Sequence, residues 1–156
     1  MNKLDVIEDE LANKGIRIDW YSIQGKQGYT MIEEGKAPYL AIDPRLTKRK
    51  QTAVAYHEAG HLHCGITKRP RRDELRADCW AFKQLIQVDD LIKGIKRQPR
   101  TVHELADIMD LDTDLLYHYL VHMSGRHIYQ EYKDYVISYS PIIVYNWKTG
   151  QIWPEI

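Results

Sequence analysis

The sequence predicts an α+β fold in which a small antiparallel sheet is followed mainly by helices. Short apolar runs bounded by Gly, Pro and Asp occupy residues 16–42 and are typical of strands. Helix formers with helical spacing of apolar residues dominate residues 51–123. Apolar runs around a turn return at residues 135–153. With 156 residues, of which 44% are hydrophobic, the chain is expected to form one compact domain, or one domain with a small appendage.

The N-terminal elements are predicted to be one helix and three strands. Apolar residues at Leu4, Ile7 and Leu11 have helical spacing, and Gly15 is suited to end that helix. Turn-forming residues at positions 25–28 separate two short apolar runs, and Asp43-Pro44 ends a third. The predicted strands are Ile16–Ile23, Gly28–Ile32 and Tyr39–Ile42.

The remaining elements are predicted to be mostly helical. Thr101 and Glu104 have the spacing of a capping box, so a helix is expected to begin there, and Asp112 or Thr113 begins the next. The tail is predicted to be a β-hairpin over Tyr135–Trp153 with a turn at residues 148–150. The predicted helices are Gln51–Cys64, Asp73–Gln87, Asp89–Lys96 and a helix-turn-helix over Thr101–Met123.

Composition limits the classes of function. The 22 basic residues balance the 22 acidic ones, so no overall field favours nucleic acid or membrane. We expect no signal peptide, because the N-terminal residues lack an apolar run, and no transmembrane helix, because no window approaches about 18 apolar residues. Two cysteines, Cys64 and Cys79, cannot form a disulfide framework, which favours a reducing, cytoplasmic location.

The segment His57-Glu58-Ala59-Gly60-His61 carries the chemistry. Two histidines four positions apart lie on one face of a helix, so both can bind one ion at about 2.0–2.1 Å. Glu58 lies beside such an ion and can take a proton from an attacking water, then deliver it to a leaving amine. A zinc ion would lower the pKa of that water to about 7 and polarise a carbonyl group.

The following helix offers a third metal ligand. Glu74 and Asp78 are also four positions apart and share a face. A catalytic zinc site needs three protein ligands, which makes Glu74 the candidate third ligand. Asp78 can accept a hydrogen bond from the outer nitrogen of a zinc-bound histidine. Two simpler interpretations remain: a pair of surface histidines, and acidic residues that only favour a helix N-terminus.

The segments His57–His61 and Glu74–Ala81 together resemble the ImmA/IrrE family of metallopeptidases. Members typically show a His-Glu-x-Gly-His helix and then a Glu-x-x-Ala-(Asn/Asp)-x-(Trp/Phe)-Ala helix, and both patterns occur here in that order. The resemblance covers roughly residues 1–122. It implies a gluzincin-like minimal metallopeptidase with His57, His61 and Glu74 as zinc ligands and Glu58 as general base.

The resemblance also implies a substrate and an organisation of the chain. Family members act on a transcriptional repressor of a prophage or integrative element, so the expected partner is a protein, with no direct contact to nucleic acid or membrane. The expected segments are a zinc metallopeptidase core over 1–98, a helical pair packed on it over 99–128, and a C-terminal β-hairpin extension over 129–156. That extension matches no part of the family pattern.

Several alternatives stay open at this point. The first concerns ligands, because His63 or Cys64 can also bind a metal. The second concerns an oxyanion donor, for which the candidates are Tyr56, His118, His122 and His127. The third concerns function: a non-proteolytic anti-repressor that keeps its zinc site, or a DNA-binding module with structural zinc. The helical pair has no Lys or Arg between Arg100 and Arg126, which speaks against DNA binding.

Overall fold

The computed structural model describes residues 1–154 and confirms the α+β class. Contacts divide the chain into two compact units, Met1–Leu85 and Ile86–Ile156, called here the N-terminal unit and the C-terminal unit. The predicted segment boundaries lay after residues 98 and 128, whereas contacts group residues 86–98 with the rest of the C-terminal unit. The predicted extension reaches residue 156, and its last two residues lie outside the described part of the chain.

The N-terminal unit combines three helices with a three-stranded sheet. In chain order its elements are α1 (Lys3–Asn13), β1 (Arg17–Trp20), β2 (Gly28–Met31), β3 (Tyr39–Ile42), α2 (Lys48–Cys64) and α3 (Pro70–Leu85). The first helix begins with a capping box between Asn2 and Asp5 and is followed by Gly15 in a left-handed conformation, with φ +73°. Helix α2 packs against β2, β3, α1 and α3, so it is the centre of this unit.

The sheet of the N-terminal unit is mixed, which corrects the predicted antiparallel sheet. Its strand order is β1-β3-β2, with β1 parallel and β2 antiparallel to β3. The apolar strand β3 occupies the centre, where Leu40, Ala41 and Ile42 are fully buried. Its insertion separates β1 from β2, so the turn at residues 25–28 does not make the two strands a hairpin. The intervening chain is long enough for a parallel connection.

The C-terminal unit contains a helical part and a sheet. In chain order its elements are α4 (Val88–Lys96), α5 (Val102–Met109), α6 (Thr113–Arg126), β4 (Gln130–Tyr132), β5 (Tyr135–Tyr139), β6 (Ile142–Asn146) and β7 (Ile152–Trp153). The apolar side chains Leu91, Ile92 and Ile95 are buried on α4, which packs against α5 and β6. This packing is why α4 belongs with the C-terminal unit.

The predicted C-terminal hairpin is in fact part of a four-stranded antiparallel sheet with the order β4-β5-β6-β7. The predicted range, with its turn at residues 148–150, covers β5, β6 and β7, whereas β4 was missed because it is only three residues long. The capping box predicted between Thr101 and Glu104 forms only one of its two hydrogen bonds. Thr101 accepts from the Glu104 N–H at 3.1 Å, but Glu104 accepts from the N–H of Arg100, at 2.6 Å. Asp112 caps α6 as expected.

Within residues 1–154, no helix is both long enough and apolar enough to cross a membrane.

Candidate metal centre

Helix α2 presents His57 and His61 on one face, one turn apart. The helix begins after Thr47, whose hydroxyl accepts a hydrogen bond from the Lys50 N–H at 3.3 Å. The two imidazole rings meet edge to face with centroids 4.8 Å apart. Their Nε2 atoms are 3.2 Å apart, so both point to the same place. His61 is 9% exposed, while His57 is more accessible.

Helix α3 reaches these histidines because Gly60 lets the two helices touch through their backbones. A Cβ atom at Gly60 would lie 2.8 Å from the carbonyl oxygen of Ala77 and 2.9 Å from its Cα atom. Ala77 is itself fully buried, so small residues line both sides of the crossing. This approach brings the Glu74 carboxylate to 3.1 Å from His57 Nε2 and 3.2 Å from His61 Nε2.

The three groups fit a divalent ion. Ligands at about 2.05 Å from a tetrahedral zinc are separated by about 3.3 Å. The two Nε2 atoms are 3.2 Å apart, and Glu74 places Oε2 3.1 Å from that of His57 and Oε1 3.2 Å from that of His61, distances close to that edge length. Two imidazole nitrogens and a carboxylate also form a donor set that zinc accepts. Among the described residues these three are the group of His, Cys, Asp and Glu with metal-ligand spacing.

Asp78 holds the ring of His57 from the other side. Its Oδ1 atom lies 2.8 Å from His57 Nδ1, which assigns the proton of the neutral ring to Nδ1. The lone pair of Nε2 therefore faces Glu74, an arrangement that is unfavourable unless a proton or metal ion lies between them. Burial lowers the pKa of His57, but the hydrogen bond and charge of Asp78, with the charges of Glu58 and Glu74, outweigh burial and raise it.

Glu58 is held beside this centre by a strand residue that the sequence analysis did not identify. Its side chain is 8% exposed, and Oε2 is 2.7 Å from the hydroxyl of Thr30 on β2. The same hydroxyl lies 3.0 Å from the Glu58 carbonyl oxygen. Helix α2 passes close to Gly28 on β2. A Cβ atom there would lie 2.5 Å from Cγ1 of Val54, so a larger residue would clash with the helix. The Thr30 contact leaves Oε1 of Glu58 for other partners.

Asp73 links the loop before α3 to the helix. Its buried carboxylate accepts hydrogen bonds from the Thr67 N–H at 2.7 Å and the Thr67 hydroxyl at 2.9 Å. The Thr67 N–H, together with that hydroxyl and the positive charge of Arg76, outweighs burial and lowers the pKa of Asp73. Asp73 therefore has a structural role beyond that of an acidic residue at a helix N-terminus.

The three candidate ligands, His57, His61 and Glu74, open into a cleft of about 390 Å³. One wall is β2, the edge strand of the sheet, and another is the loop that leads into α3. Glu74 has a side chain that is 60% exposed, so the centre is accessible from solvent. The residues that line the cleft around the ligands include Lys26, Gly28, Thr30, Glu58, Thr67 and Pro70.

The other candidates in the N-terminal unit, His63, Cys64 and Tyr56, lie outside the ligand group. The exposed ring of His63 packs against Trp80, with centroids 5.3 Å apart, and is not part of the ligand group. Cys64 contacts the Arg76 carbonyl oxygen at 3.7 Å. Tyr56 is buried and donates its hydroxyl proton to the Lys3 carbonyl oxygen at 3.1 Å, so it is not an oxyanion donor in this arrangement. The candidates His118, His122 and His127 belong to the C-terminal unit.

Comparison with protein-family models, with curated proteins and with solved structures finds no match to this chain.

Proposed function

We propose that this protein is a zinc-dependent peptidase that hydrolyses a peptide bond in a protein substrate. The observation that carries the proposal is the convergence of His57, His61 and Glu74 within 3.1–3.2 Å at the floor of an open cleft. Three protein ligands and an accessible fourth side are typical of a catalytic zinc, whereas structural zinc has four protein ligands. The accessible cleft therefore favours an enzyme over a module with structural zinc.

Metal binding, proton transfer and orientation of a ligand are assigned to different residues in this proposal. A zinc ion bound by His57, His61 and Glu74 would supply a Lewis acid for the carbonyl group and an acidified water. Glu58 accepts the proton of the attacking water on the oxygen that Thr30 leaves free, and then delivers it to the leaving amine. Asp78 keeps the His57 ring in the tautomer that directs the Nε2 lone pair into the site.

The cleft also suits an extended peptide. Three residues of the edge strand β2, Gly28, Tyr29 and Thr30, line it. Within residues 1–154, β3 is the one strand that pairs with β2, so the outer backbone groups of β2 can bond to a peptide strand. We expect the substrate to be a protein, with a transcriptional repressor as the candidate, and the setting to be the reducing cytoplasm.

Metal analysis tests the ligand set. We expect purified wild-type protein to bind one zinc ion, and His61→Ala and Glu74→Ala each to lose most of that affinity. His63→Ala is the matched control, because this histidine lies on the same helix but packs against Trp80. Equal zinc binding by all four proteins, measured by titration with a chelating competitor, would refute the centre.

Replacement of Glu58 by Gln separates the peptidase from a regulatory protein that only docks onto a repressor. We expect Glu58→Gln to bind zinc as wild type does and to lose cleavage of the candidate repressor by at least about 100-fold, the lower range for a general base. Full biological effect with intact zinc in this variant would favour the non-proteolytic anti-repressor instead.

A further inference from the structure

Five cations line the cleft or lie next to its lining residues in the chain. Lys26 lines it directly, and the other four lie in the segment 68–72 that leads into α3. Thr67, Pro70 and Asp73 line the cleft. Lys68 and Arg69 lie between the first two of these in sequence, and Arg71 and Arg72 lie between the last two. We call Lys26, Lys68, Arg69, Arg71 and Arg72 the basic rim. All five residues are exposed.

The charges of the basic rim are not neutralised by carboxylates of the described chain. Ion pairs recorded in the described part of the N-terminal unit involve other cations, among them Lys14, Arg17, Lys36 and Arg45. The acidic groups at the cleft floor have their own partners: Glu58 contacts Thr30, Glu74 contacts the histidines, and Asp73 contacts Thr67. The rim therefore presents net positive charge to whatever enters the cleft.

The requirements of folding do not explain this cluster. Arg71 and Arg72 lie in the first turn of α3, where the helix dipole favours negative charge and disfavours cations by a few tenths of a kcal/mol or more each. Lys68 and Arg69 add like charge immediately before the helix. Only Asp73 supplies an acidic residue in that turn. A ligand of opposite charge gives the cluster a reason to be there.

We propose that the cleft takes an acidic segment of polypeptide, with Asp and Glu side chains of the substrate paired to the basic rim. This inference rests on the peptidase function, since it names the substrate class of the same site. Glu58, residues of β2 and the loop residues next to these cations line the same cleft, so we expect an acidic chain lying along β2 to bring its side chains toward the basic rim.

A nucleic acid fits these observations less well. Proteins that hold single strands combine cations with aromatic rings on which bases stack. Tyr29 is the aromatic residue that lines the cleft, and its ring packs edge to face against both Tyr21 and Tyr39, at 6.4 Å. Successive bases need several such rings, and Tyr29 alone among the Tyr, Trp and Phe residues of the described chain lines the cleft, so an acidic polypeptide is the better occupant.

Binding of labelled peptides tests the inference without turnover. The protein is the full chain with Glu58→Gln, loaded with zinc. The probes are a fluorescent twelve-residue peptide of alternating Glu and Ala, the same peptide with Lys for Glu, and a single-stranded oligonucleotide of equal charge. We expect the acidic peptide to bind at least about tenfold more tightly than the basic one, with an affinity that falls as salt rises.

Charge reversal locates the binding surface. Arg71→Glu with Arg72→Glu should weaken binding of the acidic peptide about tenfold or more, because two attractive contacts become repulsive. Lys14→Glu with Lys48→Glu is the matched control: it reverses two exposed charges in the same unit that do not line the cleft. This control should change affinity less than about twofold.

Three outcomes overturn the inference: equal binding of acidic and basic peptides, equal loss in both double variants, or tighter binding of the oligonucleotide than of the acidic peptide. Zinc content separates the two proposals. Rim-dependent binding of the acidic peptide by a protein that holds no zinc would refute the peptidase and support the rim. Normal zinc binding with no rim dependence would refute the rim alone.

Discussion

The two units of this protein bury different kinds of residue. Of the polar residues buried in the described chain, Asp43, Gln51, Glu58, His61 and Asp73 lie in the N-terminal unit, and Asn146 lies in the C-terminal unit. The C-terminal core consists instead of apolar side chains such as Leu91, Leu105, Leu116 and Ile137. Burying polar groups opposes folding unless each is well paired. Two of the five in the N-terminal unit, Glu58 and His61, belong to the candidate metal centre, and Asp43, Gln51 and Asp73 bond to neighbouring loop residues.

Charge separates the units in the same way. Residues 1–85 contain 15 Lys and Arg against 12 Asp and Glu, whereas residues 86–156 contain 7 against 10. The neutral total of the whole chain therefore hides a basic unit and an acidic one. A balanced overall composition excludes a global field but allows a local one such as the basic rim.

Helices α2 and α3 of the N-terminal unit pack more closely than α4 and α5 of the C-terminal unit. We therefore expect Gly60→Ala, at the crossing of α2 and α3, to lower stability most. Its new Cβ would meet the backbone of Ala77, which cannot rotate away. We expect a loss of about 1–3 kcal/mol in the free energy of unfolding. Zinc affinity should also fall, because α3 carries Glu74 and must move outward.

Hydrogen exchange followed by mass spectrometry can assign that loss to the N-terminal unit. The control is Gly125→Ala on α6, where a Cβ would meet nothing within 4 Å. There the better helix propensity of Ala should stabilise by up to about 1 kcal/mol. Unchanged exchange and zinc affinity in Gly60→Ala would contradict the close crossing of α2 and α3.

In the C-terminal unit the ammonium group of Lys96 contacts two aromatic rings, and Lys96→Met should remove this contact. Its ammonium group lies 4.5 Å from the ring centroid of Tyr135 and 4.6 Å from that of Trp153. Loss of this cation–π contact should cost about 1 kcal/mol in urea unfolding. Lys93→Met, an exposed position on the same helix, is the control and should change stability by less than half as much.

The same substitution has a second readout. A hydrogen bond from Lys96, at 2.5 Å, lowers the pKa of Tyr135. In Lys96→Met the pKa of Tyr135 should return toward its ordinary value, as measured by the absorbance of tyrosinate. A tyrosine titration unchanged from wild type would show that the two side chains do not interact in solution.

Acid should weaken the N-terminal unit through Asp43. Its carboxylate accepts hydrogen bonds from the side chain and backbone N–H of Arg45, which lower its pKa from 3.8 to about 2. Because the folded-state pKa is depressed, this stabilisation is complete above about pH 4 and is lost as pH falls to about 2. In urea unfolding, wild type and Asp43→Asn should differ near neutral pH and converge near pH 2.

Arg45→Gln should reproduce the change in pH dependence, because it removes the partner and keeps the carboxylate. A constant difference between wild type and Asp43→Asn at every pH would contradict an electrostatic origin.

Gly94→Ala should have the smallest effect and completes the comparison of helix pairs. A Cβ at Gly94 would lie 2.8 Å from Cδ1 of Leu105 and 3.3 Å from Cγ of Met109, which are ends of flexible side chains. Repacking costs should roughly offset the gain of about 1 kcal/mol in helix propensity. A net change within about 1 kcal/mol of zero is expected in urea unfolding. A loss as large as that of Gly60→Ala would show that α4 and α5 pack as rigidly as α2 and α3.

The sequence by itself located the elements that depend on local spacing. Helical periodicity places His57 beside His61 and Glu74 beside Asp78, because residues four apart share a helix face in any tertiary context. The cap at Asp112 and the glycine after α1 likewise depend on neighbouring residues. The structure bears out these local features, and the roles of the residues as metal ligands stay a prediction.

Tertiary structure alone decided the features that depend on distant contacts. The order of strands in the first sheet, the bond between Thr30 and Glu58, and the grouping of α4 with the later helices join residues far apart in the chain. No local pattern marks Thr30, since one threonine on a short strand resembles any other until the strand is paired. Packing brings such residues together because burial depends on the whole unit and not on its nearest neighbours in sequence.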